Sequence, residues 1–274
     1  MKITTLVENH ADSARPALQE EHGLSFYIEN MGHVFMSDVG GSGKFADNAA
    51  VLGVDLTRVE ALAISHHHYD HGGGLGRFLQ ENDLATVYLR QSPDVDYVGY
   101  DPSQPIKNIG LDKALLAKYG RRIVMIAETS QVRLGFHLIT HIPKVYSKPS
   151  GDQRLKIKRG DDMKPDTFEH EMVTVVEGAD GLVVLTGCAH NGVLNMVEAT
   201  RQALPGKSIQ ALVGGFHLRR ENIATVRSIG EQLLATGIPA IYTGHCTGEE
   251  ATDALEEVLG ERLHRLYTGL EMAF

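Results

Sequence analysis

Within the six residues from His66 to His71 stand His66, His68, Asp70 and His71, four side chains able to give a lone pair to a divalent cation. They follow an apolar run, Val59 to Ile64, and precede three glycines, Gly72 to Gly74. In an extended segment, residues two apart share a face, so His66 and His68 can both reach one cation. Asp70 and His71 are adjacent, at the point where glycines permit a turn, and can be aimed at a neighbouring position. This spacing after an apolar strand predicts metal binding, with two ions side by side. His67 should point away from its neighbours, into packing or into support of a ligand.

Three later segments repeat one design: an apolar run, one or two glycines, then a histidine. They are Leu182 to Leu185 before Thr186-Gly187-Cys188-Ala189-His190, Ala211 to Val213 before Gly214-Gly215-Phe216-His217, and Ala240 to Tyr242 before Thr243-Gly244-His245-Cys246. Glycine allows a tight backbone path there, and strand ends that each deliver one histidine can converge on a single cluster. A fourth strand end, Val34 to Ser37, delivers Asp38, suited to orienting a ligand. His10, His33, His137, His141 and His264 lack such a setting and read as surface or core residues. Cys188 and Cys246 flank proposed ligands, and small buried packing residues are the favoured reading of both over thiolate ligation.

The elements that must carry these residues are short. Lys2 to Val7, Leu24 to Glu29, Val34 to Ser37 and Val59 to Ser65 read as strands in an N-terminal half with few helices. Gly74 to Gln80, Leu111 to Tyr119, Asn191 to Ala203, Glu221 to Thr236 and Glu249 to Leu259 read as helices. The stripe Ile223, Val226, Ile229, Leu233 is the clearest, stopped by Gly237 with Pro239 beyond. Strand and helix alternate through the second half, no linker divides the chain, and one domain over 1–274 built of layered sheets covered by helices is expected. From His141 to about His170, prolines and glycines break up any long element, predicting a long connection. It carries Lys144, Lys148, Arg154, Lys156, Lys158 and Arg159, and reads first as a solvated basic loop, second as an anion-binding flap.

Composition narrows the function. Of 274 residues, 42% are hydrophobic and 22% charged, as in a globular protein with a sizeable core, and the formal net charge of −9 disfavours general affinity for nucleic acid or anionic membrane. An anionic substrate must therefore be attracted locally. No apolar run reaches the roughly 18 residues of a membrane span, no signal-peptide pattern is present, and two cysteines make no disulfide framework. A cytoplasmic protein acting on a small anionic molecule is the expectation.

In this order, Asp38-Val39-Gly40, His66-x-His68-x-Asp70-His71, His190 and His245 resemble the metallo-β-lactamase superfamily over nearly the whole chain. More narrowly, Glu21-His22-Gly23-Leu24-Ser25, Asp166-x-Phe168-x-x-Glu171, Leu185-Thr186-Gly187-Cys188-Ala189-His190, Gly214-Gly215-Phe216-His217-Leu218 and His245-Cys246-Thr247-Gly248 resemble its subgroup of 7,8-dihydropterin-6-methyl-4-(β-D-ribofuranosyl)aminobenzene-5′-phosphate synthase-like proteins. The resemblance implies an α+β fold, a four-layer αβ/βα sandwich with two divalent metal ions at one edge of its sheets. His66, His68 and His190 would hold one ion, and Asp70, His71 and His245 the other. Many dinuclear members place a bridging Asp between the last two histidine motifs, yet Asn191 to Gly244 contains neither Asp nor Cys. His217 stands there instead, as a further ligand or, the reading favoured, as a substrate-facing hydrogen-bond donor or general acid.

The chemistry expected is hydrolysis of a phosphate-containing or other anionic ester by metal-bound hydroxide, with Asp70 and His217 as catalytic residues. His22, Lys156, Lys158 and His217 are the expected substrate contacts, with Glu21, His22 and Ser25 also able to shape a loop. Zinc is the first choice of ion, with iron or manganese as alternatives. The resemblance also implies a transferase joining a dihydropterin to ribofuranosylaminobenzene phosphate. A mononuclear iron oxygenase and a noncatalytic binding protein complete the alternatives.

Overall fold

A computed structural model describes all 274 residues. Two seven-stranded sheets carry the chain, and a four-stranded sheet stands beside them. The alternation of side chains along the strands explains how the layers stack. In the strand Leu182–Thr186, Val183 and Leu185 join Phe26, Ile28, Phe35 and Ala63 of the other large sheet in a core between the sheets. Leu182 and Val184 point the opposite way, into a core shared with the helices Val193–Ala203, Ile223–Ala235 and Glu249–Leu259. On the far side, Val34, Met36, Leu62 and Ile64 pack on Phe45, Ala49, Leu75 and Phe78 of the helices Lys44–Leu52 and Leu75–Glu81. The result is the expected helix, sheet, sheet, helix sandwich.

Strand direction then places the chemistry. In the first large sheet, His33–Ser37, Ala61–Ile64, Thr86–Arg90 and Ile123–Ile126 run parallel. In the second, Leu182–Thr186, Ile209–Gly214, Ala240–Thr243 and Leu263–Arg265 do the same. The segments that follow the carboxyl ends of these strands meet at one edge of the sandwich, the usual ligand position in sheets of this kind.

Two sequence expectations change. The helix Lys44–Leu52 was not foreseen, although Phe45, Ala49 and Gly53 at its C-cap carry its pattern. The stretch 141–170 is not a continuous loop. Leu155–Arg159 pairs antiparallel with Asp162–Pro165 and with Asp96–Gly99, forming the four-stranded sheet with Lys107–Asn108. Leu155 and Ile157 alternate with Lys156 and Lys158 as a strand requires, but the run is only five residues long and lies among prolines and glycines. No helix is long and apolar enough to cross a membrane.

Candidate metal centre

Ser65 follows its strand and gives its N–H to Asp38 Oδ1 at 2.7 Å and its hydroxyl to Asp38 Oδ2 at 2.8 Å. With that hydrogen committed, Ser65 Oγ accepts from His66 Nδ1 at 3.0 Å, which leaves a lone pair on His66 Nε2. His66 Nε2 lies 3.0 Å from His68 Nδ1. His190 gives its Nδ1–H to Asp152 Oδ1 at 2.7 Å, and its buried Nε2 has no hydrogen-bond partner. The donor atoms of His66, His68 and His190 all lie within 4.8 Å of one another, on side chains closed off from solvent.

A second group sits against the first. Asp38 Oδ2 takes the Nδ1–H of His71 at 2.7 Å, and Asn9 Oδ1 takes that of His245 at 2.8 Å. Both Nε2 atoms therefore face inward. His71 Nε2 is 3.8 Å and His245 Nε2 3.6 Å from Asp70 Oδ2. Cys188 joins them, its Sγ 3.1 Å from His71 Nε2 and 3.6 Å from His245 Nε2.

Buried carboxylates hold the loops in place. Glu171 accepts the backbone N–H groups of His190 and Asn191, each at 2.8 Å, and Glu8 accepts that of His245. Glu21 takes the N–H groups of Gly41 and Ser42, and Ser25 donates to Asp38 O, so both shape the Asp38 loop. Asp38, Ala189, His217 and His245 adopt left-handed backbone, with φ of 61°, 55°, 53° and 47°. That conformation costs non-glycine residues about 1–3 kcal/mol each and persists where the surroundings enforce it. At Gly187 any Cβ would collide with Ser65 and crowd His66, and glycine there lets the first sheet's histidine loop approach the second sheet closely.

The expected substrate residues are divided. His22 and His217 line a cavity of about 460 Å³ over the clusters, with Tyr69, Lys107, Arg154, Arg219 and Arg220. His217 Nε2 is 3.3 Å from Asp152 Oδ1, and its ring packs 4.3 Å from that of His190. His22 Nε2 is 3.4 Å from Asp70 Oδ2. Lys156 and Lys158 lie on the strand of the small sheet and do not line this cavity. His67 turns away as expected, giving its Nε2–H to Arg90 O and its backbone N–H to His170 Nδ1. Asp152, Glu8, Glu171 and Asn9 were missed as site residues, and only the Asp166-x-Phe168-x-x-Glu171 motif hinted at one of them.

The sequence model described as the metallo-beta-lactamase superfamily matches residues 18–99. A solved metal-dependent hydrolase of the beta-lactamase superfamily superposes with a TM-score of 0.84 at 26% identity, covering 100% of this chain and 99% of the other. The chain shares the metallo-β-lactamase fold with that structure, and residues 18–99 match the superfamily's model. It is also similar to the 7,8-dihydropterin-6-methyl-4-(β-D-ribofuranosyl)-aminobenzene-5'-phosphate synthase of Methanocaldococcus jannaschii, at 27% identity over 100% of this chain and 97% of the relative. An uncharacterized protein of the same archaeon is 26% identical over 93% of this chain and 94% of its own.

The electrostatics of these clusters fit divalent cations. Burial, reinforced by neighbouring imidazoles, pushes His66 and His190 well below the ordinary histidine value, so both stay neutral as ligands must. Burial takes His68 down to about 3. Around the second cluster, burial opposes charge on His71, but Asp38 and Asp70 outweigh it and raise the ring to about 9. Burial also acts to raise Asp70, and His71 and His245 overcome it and hold the carboxyl well below its usual range. The protein thus draws positive charge to a spot walled by lone pairs, where a bound cation is the natural occupant.

Proposed function

We propose that the protein is a metal-dependent hydrolase of a phosphate-containing or other anionic ester, with one divalent ion held by His66, His68 and His190 and a second by Asp70, His71 and His245. The observation that carries this reading is the convergence of buried ring nitrogens whose opposite nitrogens are committed to Ser65, Asp152, Asp38 and Asn9. Such ions, when bound, polarise a substrate oxygen and lower the pKa of water enough to make a nucleophile near neutral pH.

The chain's own residues supply the rest. Asp70 orients the attacking water through its carboxylate, while His22 stands over Asp70 at the cavity mouth. His217 has a buried Nδ1 without a partner and a ring whose protonated form is favoured by Cys246 and Asp152 against the opposing effect of burial. It is placed to hand a proton to the departing oxygen. Arg154 is engaged with Asp101 at 2.9 Å, whereas Arg219 and Arg220 face the cavity without a paired carboxylate and give a chain of net charge −9 its local anion attraction. Phe168 stacks on His190 at 4.3 Å and keeps water from that side of the ring.

The test is hydrolysis of a panel of phosphodiesters, phosphomonoesters and lactones before and after chelation. Loss of activity on chelation and its return with zinc are expected, and chelated protein that keeps full activity overturns the reading. A second reading, transfer of a dihydropterin to an arylamine ribose phosphate, is supported by the full-length similarity to the archaeal synthase. Incubation with both co-substrates would then yield the joined product.

A further inference from the structure

We infer that Cys188 is a ligand of the second cation, closing a four-donor set with Asp70, His71 and His245. The inference rests on reading the two clusters as cation sites and adds to it a donor that neither sequence spacing nor the superfamily resemblance supplied.

Geometry is the first argument. Tetrahedral zinc with bonds of about 2.0–2.1 Å to nitrogen or oxygen and about 2.3 Å to sulfur places its ligand atoms roughly 3.3 Å apart, or roughly 3.6 Å where one is sulfur. Around Cys188 the separations are 3.1 and 3.6 Å from sulfur to His71 Nε2 and His245 Nε2, and 3.8 and 3.6 Å from Asp70 Oδ2 to the same nitrogens. All four atoms lie within 4.8 Å of one another.

Accounting for hydrogens is the second. His71 and His245 give their Nδ1–H groups to Asp38 and Asn9, so both Nε2 atoms face the Asp70 carboxylate and the Cys188 sulfur. Protons can join these atoms only pairwise, whereas one divalent cation binds all four at once. On binding, the S–H bond and any Nε2–H bond of His71 break, their protons pass to solvent, and the sulfur and nitrogen lone pairs form bonds to the cation.

Cys246 does not compete for this place. Its Sγ accepts the backbone N–H of His217 at 3.3 Å and lies 3.6 Å from Cys188 O, outside the four-atom group.

The consequence is an unequal pair. Asp70 and a Cys188 thiolate together neutralise a divalent ion and fill a tetrahedral shell, which is the pattern of a closed site. Three neutral histidines would leave the other ion its full charge. A sulfur donor also selects zinc, iron or cobalt over manganese or magnesium at the closed site. Where many relatives bridge their ions with a carboxylate, this chain has a thiolate on one of them.

X-ray absorption at the zinc edge of the wild-type chain, loaded with two equivalents, should show one sulfur neighbour per two zinc ions at about 2.3 Å. Loaded with cobalt(II), wild type and Cys246→Ser should show a thiolate-to-cobalt charge-transfer band in the near ultraviolet, and Cys188→Ser should lack it while binding one cobalt in place of two. A wild-type spectrum without sulfur overturns the inference, as does a band lost in Cys246→Ser and kept in Cys188→Ser. Should Cys188→Ser fail to fold, the wild-type zinc edge and the Cys246→Ser band still decide. Chelator-sensitive hydrolysis by protein with a sulfur-free zinc edge would sink this assignment alone, and a sulfur-bound ion in protein without hydrolytic activity would sink only the functional reading.

Discussion

Asp38 takes the Nδ1–H of His71 and, through the Ser65 hydroxyl, steadies His66, so one carboxylate fixes the ring orientation of a histidine in each cluster. Replacing Asp38 by Asn should weaken metal affinity about 10–100-fold, measured by competition with a chromophoric chelator. His217 presents a different kind of dependence. His217→Asn should lower kcat by about 10²–10⁴ with little change in KM, the mark of a proton donor rather than a binding contact. Burial holds His67 down to about 4 against an ordinary 6.5, so folding favours the neutral ring. The stability this provides is full above pH 6.5 and is lost as pH falls from there toward 4. In metal-free protein it amounts to about 3 kcal/mol, and His67→Gln should flatten the fall of the urea midpoint over that window. The clustered histidines were legible because they crowd into one motif or follow strand–glycine signals. Asp152 was not, because a lone acid in a basic stretch gives no hint that it will meet His190, 38 residues on.

Strand ends and their glycines decide how closely the two large sheets approach. Gly187→Ala drives a methyl group into Ser65 and His66 and should cost about 1–3 kcal/mol in thermal or chemical unfolding, with metal content falling in parallel. Glu171 accepts three N–H groups within the His190 loop, at 2.8 Å each. Glu171→Gln cannot accept all three with its one amide oxygen, and should lower Tm while loosening the His66, His68, His190 cluster more than its neighbour. The large-sheet strands and three outer helices could be read from apolar periodicity. The small sheet could not: its strands are short, and its pairing of Leu155–Arg159 with Asp96–Gly99 joins segments far apart in sequence.

Across the whole molecule, each half of the chain contributes half of the cage. Asp38, His66, His68, Asp70 and His71 follow strands of one large sheet, and Cys188, His190, His217 and His245 follow strands of the other. Cations bound there would join the two sheets at their open edge. Each ion at about 100 times its dissociation constant should add about 2.7 kcal/mol to unfolding, so chelation should lower Tm in a concentration-dependent way. Differential scanning calorimetry across a zinc titration checks this, and a Tm indifferent to chelator would contradict it. The sandwich itself was legible because alternating faces demand partners on both sides. Which side chains meet at the edge was visible only once strand order and direction were known.

The left-handed turns at Asp38, Ala189, His217 and His245 are secured by contacts of the protein with itself, among them the Glu8 and Glu171 carboxylates on backbone amides. Little ordering of the chain therefore remains for an arriving ion to drive. Its uptake would be governed by how fast it sheds its water coat and threads past His22 and Arg219, a hurdle of transport rather than of refolding.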